Sequence, residues 1–174
     1  MLRIAPIDTE RLHLRELHDD DAPFLVALLN DPAFLQRIGD RKVRSEADAR
    51  RYLADGPHAS YRRHGHGLLC VALRDAHTPI GICGLLKRDA LDDADLGYAL
   101  LPAYRGRGYA HEAAQAVLTQ ARTALGLRRV AAVVGADNDA SEAVLRRLGF
   151  AFERHVALRP GEPPLRMLVR ELRA

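Results

Sequence analysis

Residues 102–114 read PAYRGRGYAHEAA, a stretch in which a glycine-rich turn runs directly into a helix-like series of alanines. Gly106 and Gly108 alternate here with Arg105 and Arg107. The first N–H groups of a helix have no intrahelical acceptor, and glycine lets an anion approach them closely. The stretch therefore predicts a turn that binds an anionic group. The alternative from these residues alone is a plain glycine turn with solvated arginines.

The segments on either side of this turn predict a strand before it, over 94–101, and a helix after it. Apolar residues follow at i, i+3, i+4, i+7 and i+8, which is the spacing of an amphipathic helix, and Gly126 ends the pattern. The residues of this face are Ala110, Ala113, Ala114, Val117, Leu118, Ala121, Ala124 and Leu125. Residues 128–135 are almost continuously apolar, which is typical of a strand deep in a sheet.

The rest of the chain alternates strand and helix patterns without an internal repeat. Strands are predicted over 10–17, 68–74, 79–87, 150–158 and 165–172, and helices over 19–31, 45–56 and 138–149. This order predicts a single α/β (α+β) domain over 1–174. Its fold class is one mixed, mostly antiparallel central sheet flanked by helices.

The two cysteines lie on the predicted hairpin strands around the loop DAHT at 75–78. Counting outward from this loop pairs Arg74 with Pro79 and Cys70 with Cys83, so the two thiols are expected to lie opposite each other. In a reducing compartment we expect two small buried thiols here rather than a disulfide.

The composition of the chain limits the classes of function that the protein can have. The chain has 174 residues, 48% hydrophobic and 28% charged, with a net charge of +3. No apolar run reaches the roughly 18–20 residues of a membrane span, and the amino terminus lacks the apolar core of a signal peptide. We therefore expect a cytoplasmic protein without membrane association. Both a monomer and a homodimer are compatible with the sequence.

Nucleic-acid and metal binding are not expected. Tryptophan is absent, aromatics are 5% of the residues, and the arginines are interspersed with acidic residues, so base-stacking platforms and a basic patch are lacking. His64 and His66 form the one close histidine pair, and no cysteine or carboxylate stands near them at metal-ligand spacing. The sequence therefore predicts no metal site.

Three sequence blocks resemble the GCN5-related N-acetyltransferases. Arg105-x-x-Gly108-x-Ala110, preceded by GYALLPAY, matches the family's Arg/Gln-x-x-Gly-x-Gly/Ala signature. NDASEAVLRRLGF at 138–150 and TERLHLREL at 9–17 are similar to blocks of its ribosomal-protein acetyltransferase branch, the RimJ/RimL type. A Walker-type loop is excluded because Gly-Lys-Ser/Thr is missing, and Gly106-x-Gly108 is not completed to a dinucleotide fingerprint, since His111 follows.

The resemblance implies transfer of an acetyl group from acetyl-CoA to a primary amine. It assigns the coenzyme A pyrophosphate to Arg105, Gly106, Arg107, Gly108, Tyr109 and Ala110. It assigns Leu100 and Leu101 to the strand that binds the pantetheine arm and polarises the thioester carbonyl.

The resemblance also bears on proton transfer to the leaving thiolate. Asn138 matches a position that contacts the coenzyme A arm, although Asn138 or Asp139 also suits a helix N-cap. Many relatives carry a tyrosine acid seven residues after this asparagine, where this chain has Leu145. Ser141 is the polar residue that the branch keeps, and we expect its hydroxyl to stabilise the thiolate by a hydrogen bond. An ordinary exposed helix serine is the alternative.

The general base is left open by the sequence. Relatives often use a glutamate on a central strand, and Val133 occupies one such position. Asp95 and Tyr98, on the strand before the glycine turn, are the candidates, and Asp95 equally suits a solvated loop.

Several functions remain compatible with these motifs. The acceptor is a peptide N-terminal α-amine or a small-molecule amine of the polyamine or aminoglycoside type, and a non-catalytic acyl-CoA sensor is the alternative to an enzyme. Because α-amines have pKa values near 7.7–8.0, against roughly 10.4 for lysine, a site without a strong acid or base suits α-amines better.

Overall fold

The computed structural model describes residues 1–4 and 6–173, and within them one eight-stranded sheet runs through the protein. The strands are β1 Ile7–Asp8, β2 Leu12–Glu16, β3 Leu68–Leu73, β4 Pro79–Leu86, β5 Asp95–Leu100, β6 Arg129–Val134, β7 Ala151–Val156 and β8 Leu165–Glu171. Their order across the sheet is β1-β2-β3-β4-β5-β6-β8-β7. Every neighbouring pair is antiparallel except β5 and β6, which are parallel. The predicted mixed, mostly antiparallel sheet is confirmed.

Six α-helices lie in the described part of the chain: α1 Ala22–Leu29, α2 Pro32–Arg37, α3 Glu46–Asp55, α4 Pro57–His64, α5 Tyr109–Thr123 and α6 Asp139–Arg147. Local sequence explains their starts. Ser45 and Asp48 form a capping box at α3, where each side chain bonds the other's amide. Proline occupies the first turns of α1, α2 and α4, where a missing N–H costs nothing.

Two large hydrophobic cores cover the two faces of the sheet, and a third, smaller cluster lies at the end formed by β6, β8 and β7. One, the α5–α6 core, includes Leu14, Val71, Cys83, Val117 and Leu145. The other, the α1–α3 core, includes Leu25, Phe34, Leu53, Cys70 and Ile82. Strand side chains alternate between the faces, so neighbouring residues of one strand contribute to different cores.

The helix predictions were incomplete in the first third of the chain. The single helix predicted over 19–31 is a 3-10 turn at Asp19–Asp21 followed by α1, and α2 follows it as a separate helix. Gly56-Pro57 ends α3 as expected, but Pro57 also begins α4, which the sequence analysis did not predict. The two-residue strand β1 was missed as well, because so short a segment shows no alternation.

The predicted pairing of Cys70 with Cys83 is wrong. Cys70 lies opposite Ile82, and Cys83 lies opposite Leu69. Ala72 rather than Arg74 pairs with Pro79, so the connection between the strands is longer than predicted, and a β-bulge between Val71 and Ala72 then reduces the offset from two residues to one. Both cysteines are free and buried, and they point to opposite faces of the sheet.

No helix among residues 1–4 and 6–173 combines the length and the apolar character needed to cross a bilayer.

Candidate active site

The turn at 105–110 has the backbone geometry of an anion-binding loop. Gly106 and Gly108 have φ values of 72° and 81°, in the left-handed region that favours glycine. Gly108 is the N-cap of α5, so no side chain caps the helix, and the amides of its first turn lack intrahelical acceptors. A Cβ atom on Gly106 would meet nothing within 4 Å. The loop therefore presents open backbone N–H groups at the positive end of a 15-residue helix.

The two arginines of this loop have different surroundings. Arg105 donates from Nε to the Leu100 carbonyl at 3.1 Å and from its guanidinium to the buried carboxylate of Asp31. Burial alone would raise the pKa of Asp31, but hydrogen bonds from Arg105 and from the Phe34 amide outweigh it, and the pKa is lowered. Arg105 thus fastens the loop to the start of α2. Arg107 is exposed, and its side chain has no hydrogen-bond partner among the described residues.

A second set of hydrogen bonds joins the loop and the first turn of α5 to the segment that begins β2. Glu112, in the first turn of α5, accepts from Thr9 Oγ1 at 2.7 Å and from Arg11 Nε at 2.6 Å. Arg11 also donates from Nη1 to the Arg107 carbonyl at 2.9 Å, and its guanidinium lies 4.4 Å from the ring centroid of Tyr109. Although burial opposes it, the bonds from Thr9 and Arg11 lower the pKa of Glu112. These contacts give the Thr-x-Arg block at 9–11 a structural role.

A gap opens between β5 and β6 next to this loop. Asp95 lies opposite Ala131, and the Ala131 amide donates to the Ala94 carbonyl at 2.9 Å. In the described residues, no further register pair joins the two strands. The strands therefore separate toward their carboxyl ends, and the gap leads from this contact to the glycine turn.

Backbone groups of β5 face the gap. The Leu101 amide donates to the Ile80 carbonyl on the β4 side, at 2.8 Å. Because the direction of hydrogen-bonding groups alternates along a strand, the amides of Tyr98 and Leu100 point away from β4. The Leu100 carbonyl is occupied by Arg105. The amides of Tyr98 and Leu100 are therefore the donors available at the gap, whereas the Leu101 amide is used within the sheet.

The structure brings two of the predicted catalytic residues together. The Tyr98 hydroxyl lies 2.8 Å from Ser141 Oγ and donates to the Ser141 carbonyl at 3.0 Å. Burial raises the pKa of Tyr98 to about 12, although the bond with Ser141 acts in the opposite direction. Tyr98 therefore stays protonated at neutral pH and is a hydrogen-bond donor rather than a base.

Asn138 caps the helix that carries Ser141. Its side-chain oxygen accepts from the Ser141 amide at 3.3 Å, which is the N-cap interaction that the sequence offered as one alternative. Leu145, the residue at the position of the usual tyrosine acid, is buried in the α5–α6 core. The cap and the buried leucine together fix how α6 presents Ser141.

Asp95 is not part of this group. Tyr98 packs in the α5–α6 core, and strand alternation turns Asp95, three residues earlier, to the other face of the sheet. Both carboxylate oxygens of Asp95 accept from Arg88 Nε, at 3.0 and 3.1 Å. Burial nevertheless raises the pKa of Asp95. Its carboxylate is thus fully buried and engaged by a guanidinium, away from Ser141.

A cavity of about 340 Å³ lies on the α1–α3 face of the sheet. Its walls come from α3, α4, the ends of β3 and β4 and the segment after β4, and they include Arg41, Tyr52, Asp55, Arg63, His64, Leu68, Leu86, Lys87 and Arg88. No pattern in the sequence predicts this cavity. Its residues are far apart in the chain, and α4 was not expected, so no local pattern indicated it.

Comparison with known proteins gives the family. The model of the acetyltransferase (GNAT) domain matches residues 11–151, which include the β2 block, the glycine turn and α6. The uncharacterized N-acetyltransferase YoaA of Bacillus subtilis (strain 168) is 30% identical over 149 residues, covering 84% of this chain and 83% of YoaA. The chain therefore belongs to the GNAT acetyltransferase family, as the three motifs predicted. It is an acetyl-transferring enzyme of a family whose acetyl donor is acetyl-CoA.

Solved structures share the whole fold. An acetyltransferase from Agrobacterium tumefaciens str. C58 superposes with a TM-score of 0.82 at 26% identity, covering 99% of this chain and 97% of that one. RimL, a ribosomal L7/L12 α-N-protein acetyltransferase solved in complex with coenzyme A, has a TM-score of 0.81 at 21% identity, covering 96% and 98%. At 21% identity, the comparison with RimL shows that the two proteins share a fold.

Proposed function

We propose that the protein acetylates α-amino groups, foremost those of peptide or protein N-termini, by direct transfer from acetyl-CoA. The observation that carries the proposal is the engagement of both carboxylate oxygens of Asp95 by Arg88 Nε. The one carboxylate among the candidate bases is thus occupied by a guanidinium group. The acceptor should therefore be an amine that loses its proton without strong assistance.

In this proposal the 105–110 loop holds the coenzyme A pyrophosphate. The backbone N–H groups around Gly106 and Gly108 and the positive end of α5 bind the phosphates, and the free side chain of Arg107 adds charge. Arg105 acts differently, because Asp31 and the Leu100 carbonyl already engage it, and it keeps the loop in place.

The gap between β5 and β6 receives the pantetheine arm and the thioester. The amides of Tyr98 and Leu100 point toward this space, so they are placed to donate to the arm and to the thioester carbonyl oxygen. A preorganised donor at that oxygen stabilises the negative charge that develops when the amine attacks, and one such donor is commonly worth about 10²–10³-fold in rate.

Ser141 serves the leaving group. Its hydroxyl donates to the departing thiolate, and the Tyr98 hydroxyl, which burial keeps protonated, then turns its single proton from the Ser141 carbonyl to Ser141 Oγ, 2.8 Å away. A thiol pKa near 8.5 means that the thiolate needs stabilisation more than full protonation. This role suits a serine, which is too weak an acid to deliver a proton completely.

The choice of an α-amine follows from the proton that the acceptor must lose. At about pH 7.5 roughly a third of an α-amine with pKa near 7.8 is neutral, against about 0.1% of a lysine side chain. Without a positioned base, this difference favours α-amines by two orders of magnitude in reactive concentration. RimL, which shares the fold, is an α-N-protein acetyltransferase, and this supports the choice of acceptor.

The test compares kcat/KM for two peptides of otherwise equal sequence. One has a free N-terminus and no lysine, and the other has a blocked N-terminus and one lysine. We expect the free N-terminus to be acetylated faster at neutral pH. The rate for that peptide should rise with pH and level off above the α-amine pKa of about 7.7–8.0.

Faster acetylation of the blocked lysine peptide would overturn the proposal and indicate a strong base elsewhere in the site. If only polyamines or aminoglycosides were acetylated, the assignment of the acetyl-CoA site would stand, and the acceptor would be a small-molecule amine. Acetyl-CoA binding without turnover of any amine would favour a sensor.

A further inference from the structure

We infer that the basic cavity on the α1–α3 face binds a carboxylate of the acceptor, so the enzyme prefers α-amines that carry an acidic group close by. The inference rests on the proposed acceptor class and goes further by naming a charge on the acceptor. It is carried by the position of the cavity against β5 and by the cationic side chains around it.

Two leucines that line the cavity also pack on the strand that faces the gap. Gly97 is the neighbour of Tyr98 on β5 and turns to the opposite face. A Cβ atom at Gly97 would lie 3.3 Å from Leu86 and 3.7 Å from Leu68, and both leucines line the cavity. The missing side chain at Gly97 leaves this part of β5 half-exposed beside the cavity. An acceptor with its carboxylate in the cavity therefore has to extend past these two leucine side chains to reach the strand segment that faces the thioester.

Cationic groups outnumber acidic ones in the walls. Arg41, Arg63, Lys87 and Arg88 line the cavity, against one carboxylate, that of Asp55. Arg88 is neutralised by Asp95. The guanidinium groups of Arg41 and Arg63 are exposed and form no ion pair with any residue that the structure describes.

Lys87 adds positive charge but no free donor. Its ammonium group donates to the carbonyls of Arg88, Leu91 and Asp92, and its charge also acts on the buried carboxylate of Asp95. Two guanidinium groups without an ion pair among the described residues, those of Arg41 and Arg63, thus share the cavity with Asp55. Such an arrangement attracts an anion at a range of about a Debye length, 8–10 Å at physiological salt.

Tyr52 adds a neutral donor. Burial raises the pKa of Tyr52, although nearby Arg41 acts in the opposite direction, so its hydroxyl stays protonated. Tyr52 lines the cavity, and among the described residues its hydroxyl has no hydrogen-bond partner. A phenol that shares a cavity with two guanidinium groups suits a carboxylate, which accepts several hydrogen bonds.

The size of the cavity limits the acceptor. A volume of about 340 Å³ is at the lower end of small-ligand sites, which run from about 300 to 1,000 Å³. It has room for one or two residues. The carboxylate should therefore belong to the first few residues of a peptide or to a small amino acid.

The experiment uses three peptides that differ only at the second residue, which is Asp, Asn or Lys, with free N-termini and no other ionisable side chain. We expect kcat/KM to fall in the order Asp, Asn, Lys, and the Asp preference to shrink as ionic strength rises. In Arg63→Gln we expect the ratio of Asp to Asn rates to drop by about 10-fold, equivalent to about 1.4 kcal/mol, with the KM for acetyl-CoA unchanged.

Arg62→Gln is the matched control. Arg62 is the exposed neighbour of Arg63 on α4 and does not line the cavity, so its removal should leave the ratio intact. Equal rates for Asp and Asn peptides would overturn the inference while leaving α-amine acetylation standing. An equal effect of the two variants, or a raised acetyl-CoA KM in Arg63→Gln alone, would also overturn it.

The inference is tested separately if no peptide is acetylated. In that case the α-amide of aspartate is compared with the α-amide of asparagine, two small α-amines that differ only in the side-chain carboxylate. Faster acetylation of the aspartate amide, lost in Arg63→Gln, supports the cavity assignment although the peptide proposal has failed. Faster acetylation of the asparagine amide overturns the cavity assignment as well.

Discussion

The hydroxyl of Ser141 is held from two sides at the edge of the gap between β5 and β6. Tyr98 bonds to it at 2.8 Å, and Asn138 caps the helix turn on which it lies. We expect Ser141→Ala to lower kcat by about 10- to 100-fold with a smaller effect on the acetyl-CoA KM, because the lost donor acts mainly on the leaving thiolate. Single-turnover rates with saturating acetyl-CoA measure this step.

Ser141→Thr, which keeps the hydroxyl, is the control and should retain most of the rate. The single-turnover rate of Tyr98→Phe should lie between those of the two Ser141 variants, because the substitution removes the hydroxyl bonded to Ser141 but leaves the Ser141 hydroxyl in place. A normal single-turnover rate in Ser141→Ala would show that the hydroxyl is incidental.

Two features of the structure require glycine at position 108. The residue has a φ of 81°, and a phosphate has to approach the first turn of α5 at this position. In Gly108→Val the new side chain would stand where a phosphate has to lie and would approach Arg11 Nη2, 3.4 Å from the Cβ position. We expect acetyl-CoA affinity to fall by at least about 10-fold, or 1.4 kcal/mol. Isothermal titration measures the affinity.

Gly126→Val separates backbone strain from lost binding. Gly126 has a φ of 67°, and a Cβ there meets nothing within 4 Å, so the variant carries similar strain outside the loop. It should lose stability and keep its affinity for acetyl-CoA. A folded Gly108→Val protein with wild-type affinity would refute the placement of the pyrophosphate.

Two local features of the site follow from short patterns in the sequence. The cap at Asn138 follows from a polar residue before a helical repeat, and the positive φ at Gly108 follows from the Gly-x-Gly turn. The bond between Arg105 and Asp31 spans 74 residues, so no local pattern indicated it.

Among the elements, β2 and α5 are joined by the contacts of Arg11, Thr9 and Glu112. Arg11→Met should raise the acetyl-CoA KM by about 10-fold, about 1.4 kcal/mol, for two reasons that act in the same direction. The Arg107 carbonyl loses its donor, and the negative charge of Glu112 is left uncompensated beside the phosphate loop. Steady-state kinetics and urea unfolding measure the two effects.

Arg122→Met is the matched control on the same helix, because Arg122 is exposed in the last turn of α5, far from the loop. It should leave the KM unchanged. If Arg11→Met lowered stability but left the KM for acetyl-CoA intact, the contacts would be purely structural.

The ends of a helix were predictable where a capping residue or proline marks the boundary of only one helix. The box at Ser45 and Asp48 marks the start of α3, whereas Pro57 serves as the end of one helix and the beginning of the next. A proline after a helix is ordinarily interpreted as a stop, so α4 was missed. The bulge at Val71 and Ala72 was hidden because both strands are apolar on both faces and their alternation gives no register.

At the scale of the whole molecule, the fold class and most of the strands followed from the sequence, but the order of the strands did not. The strands β7 and β8 are consecutive in the chain and were both predicted, whereas the position of β8 between β6 and β7 depends on long-range contacts. The gap at Asp95 and Ala131 has the same origin, since only the three-dimensional pairing shows where two strands part. A single domain over 1–174 stays a prediction.

The two cysteines have a consequence that follows from the two-sided core. Cys70 belongs to the α1–α3 core and Cys83 to the α5–α6 core. Burial raises the pKa of Cys70 to about 12 and raises that of Cys83 as well, so neither forms an appreciable amount of thiolate while it is enclosed. A thiol reagent can therefore modify each cysteine only after its own layer has opened. The two buried thiols are therefore separate probes of local unfolding. The labelling rate of Cys70 reports opening on the cavity side, and the labelling rate of Cys83 reports opening on the side of α5 and α6.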